Sequence, residues 1–185
     1  MEARTIKPRI LSPINLVKKE GGGWRFTNDF KPTVNKVTEQ DTHPLPKILP
    51  ILQRLSRFRY FGKIDLVNGF WNMKAKDDAT KELLGFEVPG LGYFVWTCLA
   101  QGLKQGPSLF QHYFEDILSD LDVDNYLDDV PFGADTKEEF YQLRDRILKR
   151  CQEHSLNINE DKSILDPVES LPALGFTTRF PSATA

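Results

Sequence analysis

With 185 residues, 40% hydrophobic and 27% charged, the chain has enough apolar material for one substantial core and the composition of an ordinary globular protein. A formal net charge of −2 and two isolated cysteines, Cys98 and Cys151, argue against a disulfide framework, a zinc ribbon and a uniformly basic nucleic-acid binder. No apolar run reaches membrane-spanning length, and none near Met1 has the form of a secretory h-region, so no membrane is expected as a partner.

Ile14 to Lys18 and Trp24 to Phe26 flank Glu20-Gly21-Gly22-Gly23 and read as a hairpin with a Gly-rich tip. The tip lacks the G-x-x-x-x-G-K-[ST] spacing of a phosphate-cradling Walker loop. Asp41 to Pro50 carries Pro44, Pro46 and Pro50. Pro46 can start a helix whose apolar positions are Ile48, Leu49, Leu52 and Leu55, with Pro50 tolerated in its first turn. Tyr60 to Leu66 reads as a strand ending near Asn68-Gly69. Leu84 to Thr97 reads as two short strands around Pro89-Gly90-Leu91-Gly92. Pro107 to Leu121 reads as a helix with an apolar stripe of Leu109, Phe110, Tyr113, Phe114, Ile117, Leu118 and Leu121. Val123 to Phe132 reads as a hairpin whose tip holds Asp128-Asp129. Thr136 to Glu153 reads as a second amphipathic helix, with Thr136 as N-cap and Glu139 completing a capping box. Leu171 to Thr177 reads as a last strand. Strands and helices alternate with tight hairpins between, which predicts an α+β fold with helices on an antiparallel or mixed sheet.

Charge is unevenly spread along these elements. Residues 1–63 hold 13 Lys/Arg against 5 Asp/Glu, a balance of +8. Residues 64–185 hold 11 against 21, a balance of −10. A basic front suits an anionic partner, and an acidic remainder suits cations. The sharpest acidic feature is Asp128-Asp129, set between apolar Val123, Leu127 and Val130. Adjacent carboxylates in a half-buried segment raise each other's pKa and cost desolvation energy. Either they are solvated turn residues, or a hard cation such as Mg²⁺ neutralises them. Asp120-x-Asp122-x-Asp124 opens like an EF-hand loop, but Asn125 replaces the turn glycine and Pro131 the bidentate Glu, so calcium-loop binding is rejected. Asp65, at the end of another apolar strand, is the better companion for the pair. Three carboxylates around one point can hold two Mg²⁺ ions for an in-line phosphoryl displacement.

These residues carry a family resemblance. Tyr126-Leu127-Asp128-Asp129 resembles the Y-x-D-D signature of reverse transcriptases. Val17-Lys18-Lys19-Glu20-Gly21-Gly22-Gly23-Trp24-Arg25-Phe26 resembles the fingers hairpin of gypsy-type LTR retrotransposons and retroviruses, and Asp29-Phe30-Lys31 their D-[YF]-R block. His43-Pro44-Leu45-Pro46-Lys47-Ile48 resembles the gypsy-type Y-P-L-P-R-I segment. Lys63-Ile64-Asp65-Leu66-Val67-Asn68-Gly69-Phe70 resembles the K-[IL]-D-L-x-x-[GA]-[YF] block. Gln101 to Gln111 resembles the retroviral Q-G-x-K-x-[SG]-P-x-x-F stretch, and Leu174-Gly175-Phe176 the L-G-[HY] strand that closes the palm. The blocks keep family order from about residue 12 to 178.

The resemblance implies a fingers–palm polymerase core of the α+β class. Its antiparallel palm sheet carries the catalytic hairpin, with helices packed on one face. It implies a single reverse transcriptase domain over 1–185, with about 1–62 and 77–100 mainly fingers and about 63–76 and 101–180 mainly palm. Thumb, connection and RNase H are expected to be absent, which makes processive synthesis by this chain doubtful. The implied activity is RNA-directed DNA polymerisation, a nucleotidyl transfer that extends a primer with dNTPs. Asp65, Asp128 and Asp129 are the implied catalytic triad, holding Mg²⁺ or Mn²⁺ with help from the Leu66 backbone carbonyl. Lys18 and Arg25 match residues that grip the incoming triphosphate, Phe70 matches the steric gate against a 2′-hydroxyl, and Gln101 matches a contact to nucleotide and template. Implied partners are an RNA or DNA template with primer, and the rest of a pol polyprotein or a second subunit. The implied location is intracellular, either cytoplasmic and particle-associated or nuclear. The alternative is a domesticated or truncated reverse transcriptase acting as a non-catalytic scaffold or interaction module.

The sequence departs from the family pattern in places. The Asp29 to Asn35 segment is one residue longer than its gypsy-type counterpart, and Cys98 to Leu103 leans towards the retroviral form. Pro131 deletes a ladder donor just after the carboxylates, which suits only an edge strand or a bulge.

Overall fold

A computed structural model describes residues 6–18, 22–39 and 43–179. In chain order it contains β1 (Ile14–Lys18), β2 (Trp24–Asn28), α1 (Val34–Val37), α2 (Ile48–Leu55), β3 (Tyr60–Asp65), α3 (Gly69–Asn72), α4 (Asp78–Leu83), β4 (Gly85–Val88), β5 (Gly92–Val95), α5 (Gly106–Leu118), β6 (Asp129–Ala134), α6 (Lys137–Glu153), β7 (Ile164–Val168), β8 (Ser170–Ala173) and β9 (Phe176–Arg179). The chain forms two compact units, residues 1–42 with 70–109 and residues 43–69 with 110–185. No described helix is long and apolar enough to cross a membrane.

The first unit holds two antiparallel hairpins, β1–β2 and β4–β5. The tip of the first falls partly on residues 19–21, outside the described residues. Phe30, Val34, Leu84 and Ala100 form its core, with Ile10, Trp96 and Leu103 packed against them. Buried Asn28 ties the unit together. Its amide donates to the Ser12 and Pro13 carbonyls (3.1 and 3.2 Å), and its Oδ1 accepts from Trp96 Nε1 at 2.8 Å. Each polar atom of this buried side chain is thus satisfied, as stability requires. Helix α4 starts at Asp77, whose carboxylate accepts from the Thr80 amide at 2.8 Å.

The second unit is built on a three-stranded antiparallel sheet in the order β6-β3-β7. Side chains of β3 alternate between its faces. On one face Ile64 and Val130 are fully buried, and Phe132 stacks on Phe140 of α6 at 4.9 Å. Gly62 lies on that face because a methyl there would meet Phe132 Cζ at 2.6 Å and Phe140 Cζ at 2.7 Å. On the other face Phe61 packs with Ile51 and Leu55 of α2 and with Leu171 and Ala173 of β8. Helix α6 begins at Thr136 with both capping-box bonds formed, as its sequence predicts. At its other end Arg150 donates to the Ile117 carbonyl of α5 at 2.7 Å and pairs with Asp120 at 2.6 Å.

The short helices α1, α3 and α4 are additions to the sequence reading, and three further elements differ from it. Leu171 to Thr177 is not one strand but the hairpin β8–β9. Leu174 and Gly175 both take positive φ (54° and 81°), which is the signature of a two-residue hairpin turn. Strand β7 carries Pro167 and Asp166, which mask its strand signal; among the described strands it pairs only with β3, where an edge proline is tolerated. Residues 122–125 form no strand, so the arm before the carboxylate turn is shorter than expected. Asp122 and Asp124 there are instead paired to Arg54, at 2.7 and 3.3 Å.

Candidate functional site

Strand β3 ends at Asp65 and β6 begins at Asp129, and the register sets the two directly opposite. The Leu66 N–H donates to the Asp128 carbonyl at 3.1 Å. That bond marks Asp65–Asp129 as a non-hydrogen-bonded pair, the type whose side chains lie closest. Both carboxylates therefore leave the same face of the sheet, where like charges repel. By the same alternation Pro131 faces Lys63 in a non-hydrogen-bonded pair, so its missing N–H removes no bond to β3. Among the described strands β6 neighbours β3 alone, which makes it an edge that tolerates the proline.

Asp128 sits in the turn just before. Tyr126 and Asp129 exchange both backbone hydrogen bonds, at 2.9 and 3.1 Å, and close a two-residue turn over Leu127-Asp128. The tip is therefore Leu127-Asp128, one residue earlier than the sequence predicts, and Asp129 belongs to the strand. Leu127 takes φ 51°, a left-handed conformation that costs an L residue about 1–2 kcal/mol.

The turn is held by Gln111 of α5, which is fully buried. Its Oε1 accepts from the Leu127 amide at 2.8 Å, and its Nε2 donates to the Asn125 carbonyl at 3.0 Å and to Glu115 Oε1 at 2.8 Å. Below the turn, the Asp65 amide donates to Ser163 Oγ at 3.0 Å and its carbonyl accepts from Asn159 at 2.8 Å. Gly69 completes the cradle. A methyl there would lie 2.8 Å from Asp128 Oδ1 and 2.7 Å from Phe110 Cζ, so only glycine leaves Asp128 its place.

The site is electrostatically frustrated. Burial pushes the Asp128 carboxyl up to about 6, reinforced by the charges of Asp65 and Asp129 and opposed by Lys162. Asp65 is also raised, first by burial and then by Asp129, with Lys162 and Lys63 pulling the other way. Asp128 Oδ1 and Asp129 Oδ1 are buried with no hydrogen-bond partner. Lys63 Nζ lies 3.2 Å from Asp129 Oδ1, an ion pair that lacks hydrogen-bond alignment. Buried carboxylate oxygens without hydrogen bonds are costly, and Lys63 offsets that cost at Asp129 alone of the two. The donor set is all hard oxygen, so it fits Mg²⁺ or Mn²⁺.

The structure thus brings Asp65, Asp128 and Asp129 to one strand end. Leu66 follows directly, its N–H bonded to the turn. Lys18, Arg25, Phe70 and Gln101 all belong to the first unit. Lys18 stands opposite Trp24 and Arg25 opposite Val17, so the two exposed cations leave opposite faces of the β1–β2 ribbon. Phe70, half-buried in α3, lies 3.5 Å from the position a Gly106 Cβ would take. Gln101 lies in a turn whose next residue, Gly102, takes φ 100°. Sequence reasoning misses Gln111, Gly69, Lys63 and Lys162. Gln111 does leave a signal, being the one amide set between Phe110 and Phe114 in the apolar stripe of α5.

Residues 17–178 match the family model described as reverse transcriptase (RNA-dependent DNA polymerase). The chain is 29% identical over 156 residues to an enzymatic polyprotein of Cestrum yellow leaf curling virus, covering 83% of this chain and 24% of that protein. It is 29% identical over 161 residues to the retrovirus-related Pol polyprotein from transposon 412 of Drosophila melanogaster, covering 82% of this chain and 13% of that protein. Its fold matches the foamy viral protease–reverse transcriptase solved with double-stranded DNA at a TM-score of 0.86, with 30% identity over 94% of this chain and 30% of that one. The same viral enzyme solved with an RNA/DNA hybrid matches at 0.83, with 29% identity over 94% of this chain and 23% of that one. The chain spans a quarter or less of the curated relatives named here.

Proposed function

We propose, from the premise that this chain belongs to the reverse transcriptase (RNA-dependent DNA polymerase) family, that it is the fingers–palm core of an RNA-directed DNA polymerase that extends a primer with dNTPs. The observation that carries the reading is the strand-end trio Asp65, Asp128 and Asp129, with two buried carboxylate oxygens left without hydrogen bonds. Asp65, Asp128 and Asp129 hold Mg²⁺ or Mn²⁺, joined by the Leu66 carbonyl. Bound there, the ion supplies Lewis-acid polarisation of the primer 3′-hydroxyl and of the triphosphate. The protein's own part is to hold three acidic oxygens on a clamped turn before substrate arrives, which is electrostatic preorganisation. Arg25 offers a planar fork to phosphate oxygens and Lys18 a point charge. Phe70 crowds a ribose 2′-hydroxyl and Gln101 contacts nucleotide and template.

The template–primer duplex is taken to be RNA or DNA, because the foamy viral enzyme binds both kinds of duplex in its solved structures. A gypsy-type origin is supported by the His43 to Ile48 block, and a retroelement origin by the likeness to the Pol polyprotein of transposon 412. It places the chain inside the cell, in a cytoplasmic particle or the nucleus, as one part of a pol polyprotein.

The test is primer extension on RNA and DNA templates with Mg²⁺, by the chain and by a version carrying the thumb of a relative. Asp65→Asn and Asp128→Asn are each expected to lose at least about a hundredfold in rate, roughly the value of one lost electrostatic contact in the transition state. Extension by either variant at the wild-type rate sinks the assignment.

A further inference from the structure

A second constellation lies on the other side of Gln111. Nitrogen and oxygen donors of His43, His112 and Glu115 all come within 4.8 Å of one another. His43 Nε2 is 2.8 Å from Glu115 Oε2, and the two imidazole rings meet edge to face at 4.7 Å between centroids. We infer that His43, His112 and Glu115 form a separate metal site for a borderline-soft divalent ion of the Zn²⁺ class, with two imidazoles and one carboxylate as ligands and an open fourth position.

The donor chemistry decides the class. Neutral imidazole nitrogens select Zn²⁺, Co²⁺, Ni²⁺ or Cu²⁺ and leave Mg²⁺ in water, whereas the aspartate trio does the reverse. Three ligands with one open position is the stoichiometry of an accessible zinc site. The ligands also come from parts of the chain that are independently fixed. His112 and Glu115 sit three residues apart on α5 and so share a face. His43 precedes Pro44, which confines its backbone to extended conformations, and Pro46 stiffens the segment further. Glu115 is held through its other oxygen, which accepts from fully buried Gln111 at 2.8 Å. Its Oε2 is thereby presented to His43, the arrangement in which an outer hydrogen bond aims a ligand. Asp116 Oδ2 stands 3.7 Å from His112 Nε2, an ion-pair distance rather than a hydrogen bond.

A plain surface ion pair between His43 and Glu115 is the competing explanation, worth little in stability. It does not account for three ligand atoms of the metal-binding types converging on one point. A tetrahedral ion with ligand bonds of ~2.1 Å needs donors ~3.4 Å apart. The His112 side chain is 60% exposed and can close the remaining distance by rotating about its side-chain bonds.

The site stands or falls apart from the polymerase reading, because metal binding itself is measured. Metal-free protein is titrated with Co²⁺, read by visible absorption, and with Zn²⁺, read by calorimetry. One equivalent should bind with the absorption of a four-coordinate ion, be displaced by Zn²⁺ and survive millimolar Mg²⁺. His112→Ala and His43→Ala should each weaken binding at least about tenfold. Asp128→Asn and Cys98→Ser should leave it unchanged. No binding at about 100 μM metal overturns the site, as does binding unaffected by His112→Ala. Binding lost in Asp128→Asn or Cys98→Ser assigns the ion elsewhere and overturns it equally.

Discussion

Replacing Asp128 by Asn is expected to make the protein more stable while removing its response to Mg²⁺. The folded-state pKa of Asp128, about 6, lies above the ordinary Asp value of 3.8. Folding therefore favours the protonated acid, and stability falls as pH rises from about 4 to about 6, where the unfolded chain releases a proton that the folded chain keeps. Above pH 6 the cost is constant. A displacement of about two units corresponds to at most about 3 kcal/mol, and solvent screening of a partly exposed group reduces it to about 1–2 kcal/mol. In divalent-free buffer at pH 7.5, Asp128→Asn should exceed wild type by that amount, roughly 2–8 °C in Tm for a chain of this size. The advantage should vanish as pH falls towards 4. Added Mg²⁺ should then reverse the order, because an ion at a hundred times its Kd stabilises wild type by about 2.7 kcal/mol and the variant by much less. Denaturant titrations from pH 4 to 8, with EDTA or Mg²⁺, measure both effects. Equal stability of the two proteins across that range, or an equal Mg²⁺ shift, refutes the account of the site.

Gln111→Leu leaves the Leu127 amide and the Asn125 carbonyl without their side-chain partner, at about 1–3 kcal/mol for each buried group. It should destabilise by about 2–6 kcal/mol and slow extension at saturating dNTP; an unchanged maximal rate would mean that the clamp does not position the turn. Gly69→Ala puts a methyl against Asp128 Oδ1 and should abolish the Mg²⁺-dependent stabilisation, so a Mg²⁺ shift of wild-type size would show that Asp128 is not the ligand. Phe70→Val should raise ribonucleotide incorporation, and an unaltered sugar preference in a competition assay removes Phe70 from the nucleotide site.

What could be read from the sequence depended on how local the determining physics is. The capping box at Thr136 needs residues three apart and is legible without a structure. The helix stripe of α5 is legible for the same reason. Asp65 and Asp129 lie 64 residues apart, and their opposition depends on strand register, which chain pattern alone does not specify. Their chemical kinship is suggested by like carboxylates at apolar strand ends and strengthened by the family resemblance. β7 hides behind Pro167, and the turn between β8 and β9 behind Leu174, a residue type seldom found at positive φ. Gln111 reads as a lapse in an apolar stripe until its three partners are seen.

The choice between enzyme and scaffold turns on how this fold treats its other carboxylates. Asp120, Asp122 and Asp124 form a second acidic run a few residues upstream of the turn. Arg150 meets Asp120 at 2.6 Å and holds its carboxyl below the usual range, and Arg54 meets Asp122 and Asp124. Where the chain needs no cation from solution, it supplies guanidinium groups of its own. Around Asp65, Asp128 and Asp129 the described residues supply Lys63 and Lys162, and these leave Asp65 and Asp128 raised and two oxygens without hydrogen bonds. The same turn carries the left-handed Leu127 and rests on a glycine with no room for a methyl group. A surface kept only for docking gains stability by relaxing any of these features, and an Asn at 128 would suffice. Their joint presence favours a site that is completed by a divalent ion. A scaffold predicts no Asp128-dependent response to Mg²⁺ or Mn²⁺, and a flat titration in wild type would decide for it.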